Sequence, residues 1–251
     1  KGISNPGYIN EFTKLNTSLF QIPAGSVFFM TLPLVYHPQP DENGHPVLVR
    51  TPSVSTAEIT WYDPTTVATL SVTDHGMLPP TLCGTPFTDI ACPVSSLDWL
   101  SYNSEWSVEE PPYPKDPVRC TTSGCVVIEP DDRVWLVHPT NEYADQKTTF
   151  PKGRWEAGLT LLTNAVKETL EESGLWVRPT GYLCDIVRTR SVTRYYTARR
   201  IGGTPKNAGW ESQAVSLVPP SALAKFLNRE NDRKVLPFLL KKLLEEGTLP
   251  L

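Results

Sequence analysis

The sequence predicts an α/β protein, an α/β/α sandwich preceded by a β-rich N-terminal region. Strand-like segments follow one another from 123 to 219, and one amphipathic helix, ending at Gly174, is inserted among them. Two further helical segments follow at 221–228 and at about 231–246. Residues 1–105 contain short β-like runs and no helix of convincing length.

The chain is expected to have three parts. Residues 1–105 form the β-rich region, 106–117 a stiff proline-rich linker, and 118–251 a second domain. The β-like runs of the first part, separated by turn-forming sequences, are at 26–36, 46–50, 57–62 and 66–72. Basic residues are concentrated after residue 105, so that part is the one expected to bind anions.

Composition argues against several classes of protein. A formal net charge of −4 gives no general attraction to nucleic acid or to anionic membranes. No apolar run reaches the roughly 18 residues that a membrane span needs. Five cysteines without metal-binding spacing are typical of a reduced, cytoplasmic chain, and a first residue of Lys1 is compatible with a trimmed N-terminus. The histidines are expected in loops or at the surface: His37, His45, His75 and His138.

Apolar segments predict the strands and the last helix of the second domain. A hairpin around an Asp131-Asp132 turn should pair the strand at 123–130 with the strand at 133–139. The remaining strands are expected at 184–190, 193–201 and 211–219. The buried stripe of the last helix is expected to consist of Val235, Phe238, Leu239 and Leu243.

The helix that ends at Gly174 carries three carboxylates on one face. Glu168, Glu171 and Glu172 are spaced i, i+3 and i+4, so they stack along the helix at 3.6 residues per turn. Thr160 is the expected N-cap, and Gly174 tolerates the left-handed backbone that ends a helix. The apolar face, expected to be buried, consists of Leu162, Val166, Thr169 and Leu170.

Clustered carboxylates repel one another, and a hard divalent cation removes that repulsion. Oxygen ligands on one rigid face, with no His or Cys nearby in the sequence, suit Mg²⁺ or Mn²⁺ better than zinc. The alternative is an acidic helix face that is simply solvated. The glycine-containing loop that precedes the helix favours the metal site.

Residues 153–175 resemble the Nudix box, the sequence signature of the Nudix hydrolase family. Gly153 opens the box, the three glutamates fill its carboxylate positions, and Gly174-Leu175 closes it. The FPKGR sequence at the start is similar to that of family members that cleave diphosphoinositol phosphates and dinucleoside polyphosphates. The resemblance implies a Nudix-type α/β/α sandwich over 118–251 and a pyrophosphohydrolase activity.

Three positions depart from the box. Leu159 stands where a glutamate is expected, Lys167 where an arginine is expected, and Thr169 at an apolar position. In the family, the first two positions commonly form an ion pair that braces the loop against the helix. Here Leu159 removes one partner and Lys167 keeps a weaker form of the other, so we expect altered bracing worth about 1 kcal/mol or less.

The resemblance also implies which residues form the site. The implied metal ligands are Glu168, Glu171, Glu172 and the main-chain carbonyl of Gly153. One of the carboxylates, free of metal, would be the base for the attacking water, and the sequence leaves open which one. Glu211 lies in a segment similar to the family's last strand and is the candidate for an assisting glutamate, with a plain surface glutamate as the alternative.

Basic and aromatic residues flank the box. The expected phosphate-binding residues are Lys152, Arg154, Arg188, Arg190 and Arg194. Strand alternation puts Arg188 and Arg190 on one face, although each arginine could equally be a solvated strand residue. The aromatic residues that could stack on a base, or else belong to the core, are Trp155, Tyr195 and Trp210.

Three functions are compatible with these features. The first is metal-dependent hydrolysis of a nucleoside diphosphate linked to another moiety, such as ADP-ribose or a dinucleoside polyphosphate, or of a diphosphoinositol phosphate. The second is a Nudix module that binds such a ligand without efficient turnover, motivated by Leu159 and Lys167. The third, RNA-end decapping, is disfavoured by the acidic N-terminal half and the lack of a long basic patch. The expected partner is therefore a small-molecule phosphoanhydride, with nucleic acid and membrane disfavoured.

Overall fold

The computed structural model describes residues 34–245, apart from residues 75, 92, 94 and 142–146. The chain divides into two compact units, Lys1–Pro33 and Leu34–Leu251, and all described residues belong to the second. The strand predicted at 26–36 thus lies largely outside the described residues, and its described part contains the short strand Val35–Tyr36.

Short strands precede long ones along the chain. The strands are β1 Val35–Tyr36, β2 Leu48–Val49, β3 Ala68–Ser71, β4 Thr81–Leu82, β5 Thr85–Pro86, β6 Cys120–Val127, β7 Val134–Pro139, β8 Lys152–Arg154, β9 Leu175–Val187, β10 Ser191–Gly203 and β11 Ser212–Val218. The helices are α1 Ser96–Leu100, α2 Leu161–Ser173, α3 Pro220–Phe226, α4 Glu230–Arg233 and α5 Leu236–Glu245. Short 3₁₀ helices occupy Glu58–Trp61, Ser101–Ser104 and Pro205–Asn207.

Two sheets form the centre of the described fold. One has the strand order β8-β6-β10-β9, in which β6 and β10 are parallel and the other neighbours are antiparallel. The other has the order β3-β11-β7 and is antiparallel throughout. In the first sheet Ser123 of β6 lies opposite Gly153 of β8 and Arg194 of β10. Strand β8 is therefore an edge strand that places Gly153 beside β6.

The prediction that β6 and β7 pair in one sheet is wrong. The turn itself is present, because the Asp132 N–H donates to the Glu129 carbonyl at 3.0 Å and Asp132 has a φ of 68°. The two strands meet at a bridge between Ile128 and Val134 and then continue into different sheets. The turn depends on local sequence, whereas the pairing depends on β10 and β11, which lie far along the chain.

Helices cover both sides of the sheets. Alternate residues of β6 face opposite ways, so Cys125 belongs to the core beneath α2 and Val126 to the core beneath α3 and α5. The first core also holds Trp61 and Trp135, whose ring centroids are 5.9 Å apart. The predicted α/β/α sandwich is confirmed.

Residues 34–105 share these cores. Strand β3 pairs with β11, and the Thr69 hydroxyl lies 2.6 Å from the Ser216 hydroxyl. The strand predicted at 57–62 is wrong, because Glu58–Trp61 is a 3₁₀ helix. The buried Arg133 guanidinium donates to the carbonyl oxygens of Thr60 and Trp61, and thereby satisfies acceptors that a strand would pair with its neighbour.

The predicted division into 1–105, 106–117 and 118–251 stays a prediction. In the structure, the 106–117 segment lies against the first sheet: Tyr113 donates its hydroxyl hydrogen to the Val192 carbonyl at 2.8 Å, and Glu110 accepts the Tyr196 hydroxyl at 2.6 Å.

The last predicted helix is split in two. Helices α4 and α5 are separated by a turn at residues 234–235. Pro237 lacks an N–H and is tolerated in the first turn of a helix, so a new helix begins next to it. Val235, Leu239 and Leu243 are buried as predicted, whereas Phe238 is 47% exposed, since it lies about 100° around the helix from Leu239.

The prediction of loop or surface positions for the histidines is wrong for His138, which lies on β7 between the hydroxyls of Ser53 and Ser216. His37 is in a loop as predicted, but it is buried there, with Nε2 3.3 Å from the Ser212 carbonyl oxygen. Burial lowers the pKa of His138 to about 4. Among the described residues, no helix has the length and apolar character of a membrane span.

Candidate active site

Helix α2 has the predicted ends. The Thr160 hydroxyl accepts the Thr163 N–H at 3.0 Å, and Gly174 closes the helix with a φ of 70°. The predicted apolar face is buried beneath the helix. Local caps and apolar periodicity therefore fix which face of α2 turns away from the core.

Gly153 and Glu168 are in close approach. A Cβ on residue 153 would overlap the Glu168 carboxylate, so a glycine is required for this contact. The neighbouring Lys152 N–H donates to Glu172 Oε2 at 2.9 Å. Strand β8 and helix α2 are thus joined through two of the predicted metal-binding carboxylates.

These residues line one cavity of about 860 Å³. It brings together the predicted residues Lys152, Gly153, Arg154, Glu168, Glu171, Glu172 and Glu211. Lys167 and Trp210 also line it. A cavity of this size is within the range of small-molecule sites.

Crowding of carboxylates dominates the electrostatics of this cavity. The pKa of Glu168 is raised to about 8, first by burial and then by the charges of Glu172 and Glu171. The pKa of Glu172 is raised to about 7, chiefly by burial, although Lys152 opposes the shift. The pKa of Glu211 is also raised, by burial and by Glu171. Negative charge at this site is therefore under-compensated.

This donor set fits a hard divalent cation. The donors are carboxylate oxygens together with the backbone beside Gly153, and a cation would reverse the carboxylate repulsion. As the side chains stand, no group of three or more His, Cys, Asp or Glu residues in the described part of the chain is arranged around a common metal position. Glu172 is directed to the Lys152 N–H and Glu171 to Lys167.

The predicted arginines Arg188, Arg190 and Arg194, in the β9–β10 turn and on β10, do not line this cavity. Arg188 Nη2 is 2.6 Å from Asp232 Oδ1, and Arg194 Nη2 is 2.7 Å from Asp185 Oδ2. Both guanidiniums are held in these ion pairs beneath the protein surface. Arg190 is exposed in the turn between β9 and β10, and the predicted strand 184–190 ends at Val187. The three arginines thus lie outside the cavity lining, and their role in phosphate binding stays a prediction.

The three aromatic residues that could stack on a base lie in different environments. Tyr195 is fully buried, with its ring 5.7 Å from that of Phe150, and belongs to the core. Trp155 is partly exposed and donates its indole N–H to the Leu159 carbonyl at 2.7 Å. Trp210 is the one of the three that lines the cavity.

Sequence reasoning missed a second wall of the cavity. It comes from the N-terminal region and consists of Gln39, Glu42, Ile90, Pro93 and Trp99. Glu42 lies in a turn in which Asp41 Oδ1 accepts the N–H groups of Asn43 and His45. A turn-forming sequence such as DENG gives no sign of a role in a distant cavity, because the approach depends on tertiary packing.

The predicted brace is replaced by another one. Leu159 is 4% exposed and packs in the core beneath α2. Lys167 Nζ lies 3.4 Å from Glu156 Oε2 and 2.7 Å from Glu171 Oε2. Asn103, outside the box, accepts the Thr160 N–H and donates to the Gly158 carbonyl. The loop is therefore held by a shifted ion pair, apolar contact and the N-terminal region.

Helix α2 carries the carboxylates and faces Gly153 of the edge strand β8, within an α/β/α sandwich. Residues 118–239 match the family model of the NUDIX domain. Residues 118–239 therefore carry a NUDIX domain.

Solved structures of similar fold come from several sources. A MutT protein from Methanosarcina mazei Go1 is 12% identical, with 51% of this chain and 97% of that chain covered and a TM-score of 0.42. An ADP-ribose pyrophosphatase from Streptococcus suis 89-1591 is 18% identical, with 49% and 90% covered and a TM-score of 0.41. A C. elegans Ap4A hydrolase is 16% identical, with 51% and 99% covered and a TM-score of 0.41. A search of curated proteins found no match.

Proposed function

We propose that this protein is a metal-dependent pyrophosphohydrolase that cleaves a phosphoanhydride bond in a nucleoside diphosphate linked to another moiety. The observation that carries the proposal is the under-compensated carboxylate cluster, in which Glu168 and Glu172 have pKa values raised to about 8 and 7 beside Gly153. Strongly shifted carboxylates in a cavity are characteristic of functional sites.

The metal ligands in this proposal are Glu168, Glu171, Glu172 and the main-chain carbonyl of Gly153. Mg²⁺ or Mn²⁺, when bound, supplies charge neutralisation to the phosphates and polarises the attacking water. Glu211, which lines the same cavity next to β11, is proposed to accept the proton of that water. Lys152 and Arg154, on either side of Gly153, are proposed to bind the phosphates.

Charge and shape limit the substrate. The cavity's basic residues are Lys152, Arg154 and Lys167, and Lys167 is already paired with carboxylates. Its second wall includes apolar groups such as Ile90. A diphosphate with a nucleoside or sugar attached suits this lining better than a densely phosphorylated inositol, whose many charges need several free cations. We therefore place ADP-ribose and dinucleoside polyphosphates ahead of diphosphoinositol phosphates.

A second candidate is a ligand-binding Nudix module with weak turnover. The departure at Leu159 favours it, because a loosely held loop would misplace the catalytic groups. The ion pair between Glu156 and Lys167 argues for the hydrolase, since it supplies a brace from another position.

A substrate panel tests the proposal. The full chain is incubated with ADP-ribose, diadenosine tetraphosphate, a UDP-sugar and a diphosphoinositol phosphate, with Mg²⁺ and with excess chelator, and the products are quantified by chromatography. We expect Mg²⁺-dependent cleavage of at least one nucleotide and a loss of activity by orders of magnitude in Glu172→Gln. The control Glu230→Gln, which removes an exposed carboxylate on α4, should match the wild type. Tight binding of a nucleotide without cleavage would favour the second candidate.

A further inference from the structure

Lys167 is shared between two carboxylates. Its ammonium lies 2.7 Å from Glu171, one turn further along α2, and 3.4 Å from Glu156 in the preceding loop. The Lys167 side chain is 16% exposed, so its charge depends on protein partners more than a surface lysine's charge does.

Glu156 is held in place without Glu171. Its backbone N–H donates to Asn164 Oδ1 at 2.9 Å, and the Asn164 amide donates to the Ser123 hydroxyl at 3.0 Å. The Ser96 hydroxyl, from α1, donates to Glu156 Oε1. The Glu156 carboxylate therefore keeps its position when the partners of Glu171 change.

We propose that Glu156 is a positioning residue that holds the Lys167 ammonium while a divalent cation occupies Glu171. The inference rests on the proposed function to the extent that Glu171 is taken to be a metal ligand. A cation at Glu171 displaces the nearest partner of Lys167, and a partly buried ammonium without a partner is costly. Because Glu156 is already within ion-pair distance, Lys167 can exchange one carboxylate for the other with a small side-chain movement.

If Lys167 exchanges partners in this way, the effect of losing Glu156 on cation binding depends on whether Lys167 is present. Without Glu156, Lys167 has Glu171 as its remaining carboxylate partner at ion-pair distance and competes with the cation for it. Loss of Glu156 should therefore weaken cation binding when Lys167 is present. When Lys167 is absent there is no competition, and loss of Glu156 should have the same small effect as loss of any nearby negative charge.

Calorimetric titration of Mg²⁺ into the full chain tests this, since the readout is binding and not turnover. The set comprises wild type, Glu156→Gln, Lys167→Met and the double variant. We expect Glu156→Gln to weaken Mg²⁺ binding by about two- to fivefold in the wild-type background, the range for a partly exposed ion pair. In the Lys167→Met background the same change should have no larger effect than the control.

The control is Glu42→Gln, which removes a cavity carboxylate without an ion pair to Lys167 in the described part of the chain. Its effect on Mg²⁺ binding should be equal in both backgrounds. Lys167→Gln is measured in parallel in case the methionine variant unfolds, and Ser96→Ala, which loosens Glu156 with Lys167 intact, should weaken binding in the same direction.

Equal effects of Glu156→Gln in the two backgrounds, or no effect in either, would overturn the exchange. A wild type that binds Mg²⁺ but cleaves nothing in the substrate panel would instead contradict the proposed function and leave the binding cycle interpretable.

Discussion

Buried or partly buried carboxylates occur in two regions of this protein and are compensated differently. In the sheets, Glu129 pairs with Arg200 at 2.6 Å and Asp232 pairs with Arg188 at 2.6 Å. In the cavity, Glu168 and Glu172 have no ion-pair partner among the described residues, and their pKa values are raised to about 8 and 7.

The presence or absence of a fixed counter-charge distinguishes the two regions. A buried carboxylate that only joins elements needs a fixed counter-charge, and the Arg200 guanidinium also binds the carbonyl groups of Leu82 and Thr85, which ties the β4–β5 hairpin to β10. A carboxylate without a counter-charge lowers the stability of the fold, and it is free to bind a cation. The contrast supports the proposed role of the cavity acids without reference to any relative.

The largest expected effect concerns Glu168, one of the cavity acids without an ion-pair partner among the described residues. Glu168→Gln replaces a carboxyl group whose ionised form is opposed by burial and by neighbouring charges, so stability should be unchanged or raised. Turnover of the best panel substrate should fall by about 10²-fold or more, because a charge needed for cation binding and water activation is lost. Steady-state kinetics with Mg²⁺ and urea unfolding without it measure the two effects. A variant that unfolds, or that keeps full activity, would contradict the assignment.

The next largest effect concerns the buried ion pair between Glu129 and Arg200. Arg200→Met leaves Glu129 buried and unpaired and releases the β4–β5 hairpin, so the free energy of unfolding should fall by about 3 to 5 kcal/mol. Urea unfolding measures it, and Arg154→Met, at the exposed edge of the cavity, is the matched control with little expected change in stability. A fall below about 1 kcal/mol would show that this pair is not the structural link.

The sequence was sufficient to predict features that are encoded within one helix, but not ion pairs between residues that are far apart in the chain. Thr160, Gly174 and the carboxylate face of α2 are encoded within one helix, so spacing and caps were sufficient to predict them. The roles of Arg188 and Arg194 depend on partners; Asp232 is 44 residues from Arg188. Alternation reports which face of a strand a side chain lies on, but not which acid meets it.

Dependence on distant residues also explains why the sequence did not predict the cavity's second wall or the 3₁₀ helix at Glu58–Trp61. Glu42 and Ile90 reach the cavity through packing of the N-terminal region, which no local pattern specifies. The carbonyl groups of Thr60 and Trp61 accept hydrogen bonds from Arg133, more than 70 residues away, and this tertiary contact overrides the β propensity of the segment.

The third expected effect concerns an added carboxylate in a part of the core that offers it no counter-charge. Leu159→Glu restores the glutamate of the box but places a carboxylate in the core beneath α2. The free energy of unfolding should fall by about 2 to 4 kcal/mol. Because Lys167 is engaged by Glu156 and Glu171, adding Lys167→Arg should not rescue the variant, and the two effects should add. Rescue of more than about 1 kcal/mol in a double-mutant cycle on stability would show that positions 159 and 167 can pair after all.

The smallest expected effect concerns pH and the metal-free protein. The folded-state pKa values of Glu168 and Glu172, about 8 and 7, lie above the ordinary value of 4.5. In the folded state these groups hold their protons to higher pH than in the unfolded chain. Their favourable contribution is therefore complete below about pH 4.5 and is lost as pH rises through 7 and 8. Full linkage of two such shifts would be about 6 kcal/mol, and because both side chains are partly exposed, solvent screening should reduce the fall in metal-free stability between pH 5 and 8.5 to about 2 kcal/mol.

Other groups titrate in the same interval, so the measurement is a difference. Urea unfolding of the wild type and of Glu168→Gln/Glu172→Gln is compared with chelator at pH 5 and at pH 8.5. His138, whose buried ring has a pKa of about 4, is present in both proteins and cancels. The double variant should have the flatter pH profile, and Mg²⁺ should stabilise the wild type more at pH 8.5 than at pH 5 because it binds the deprotonated acids. Parallel profiles for the two proteins would mean that these carboxylates carry a counter-charge in solution and would remove the distinction between the two regions.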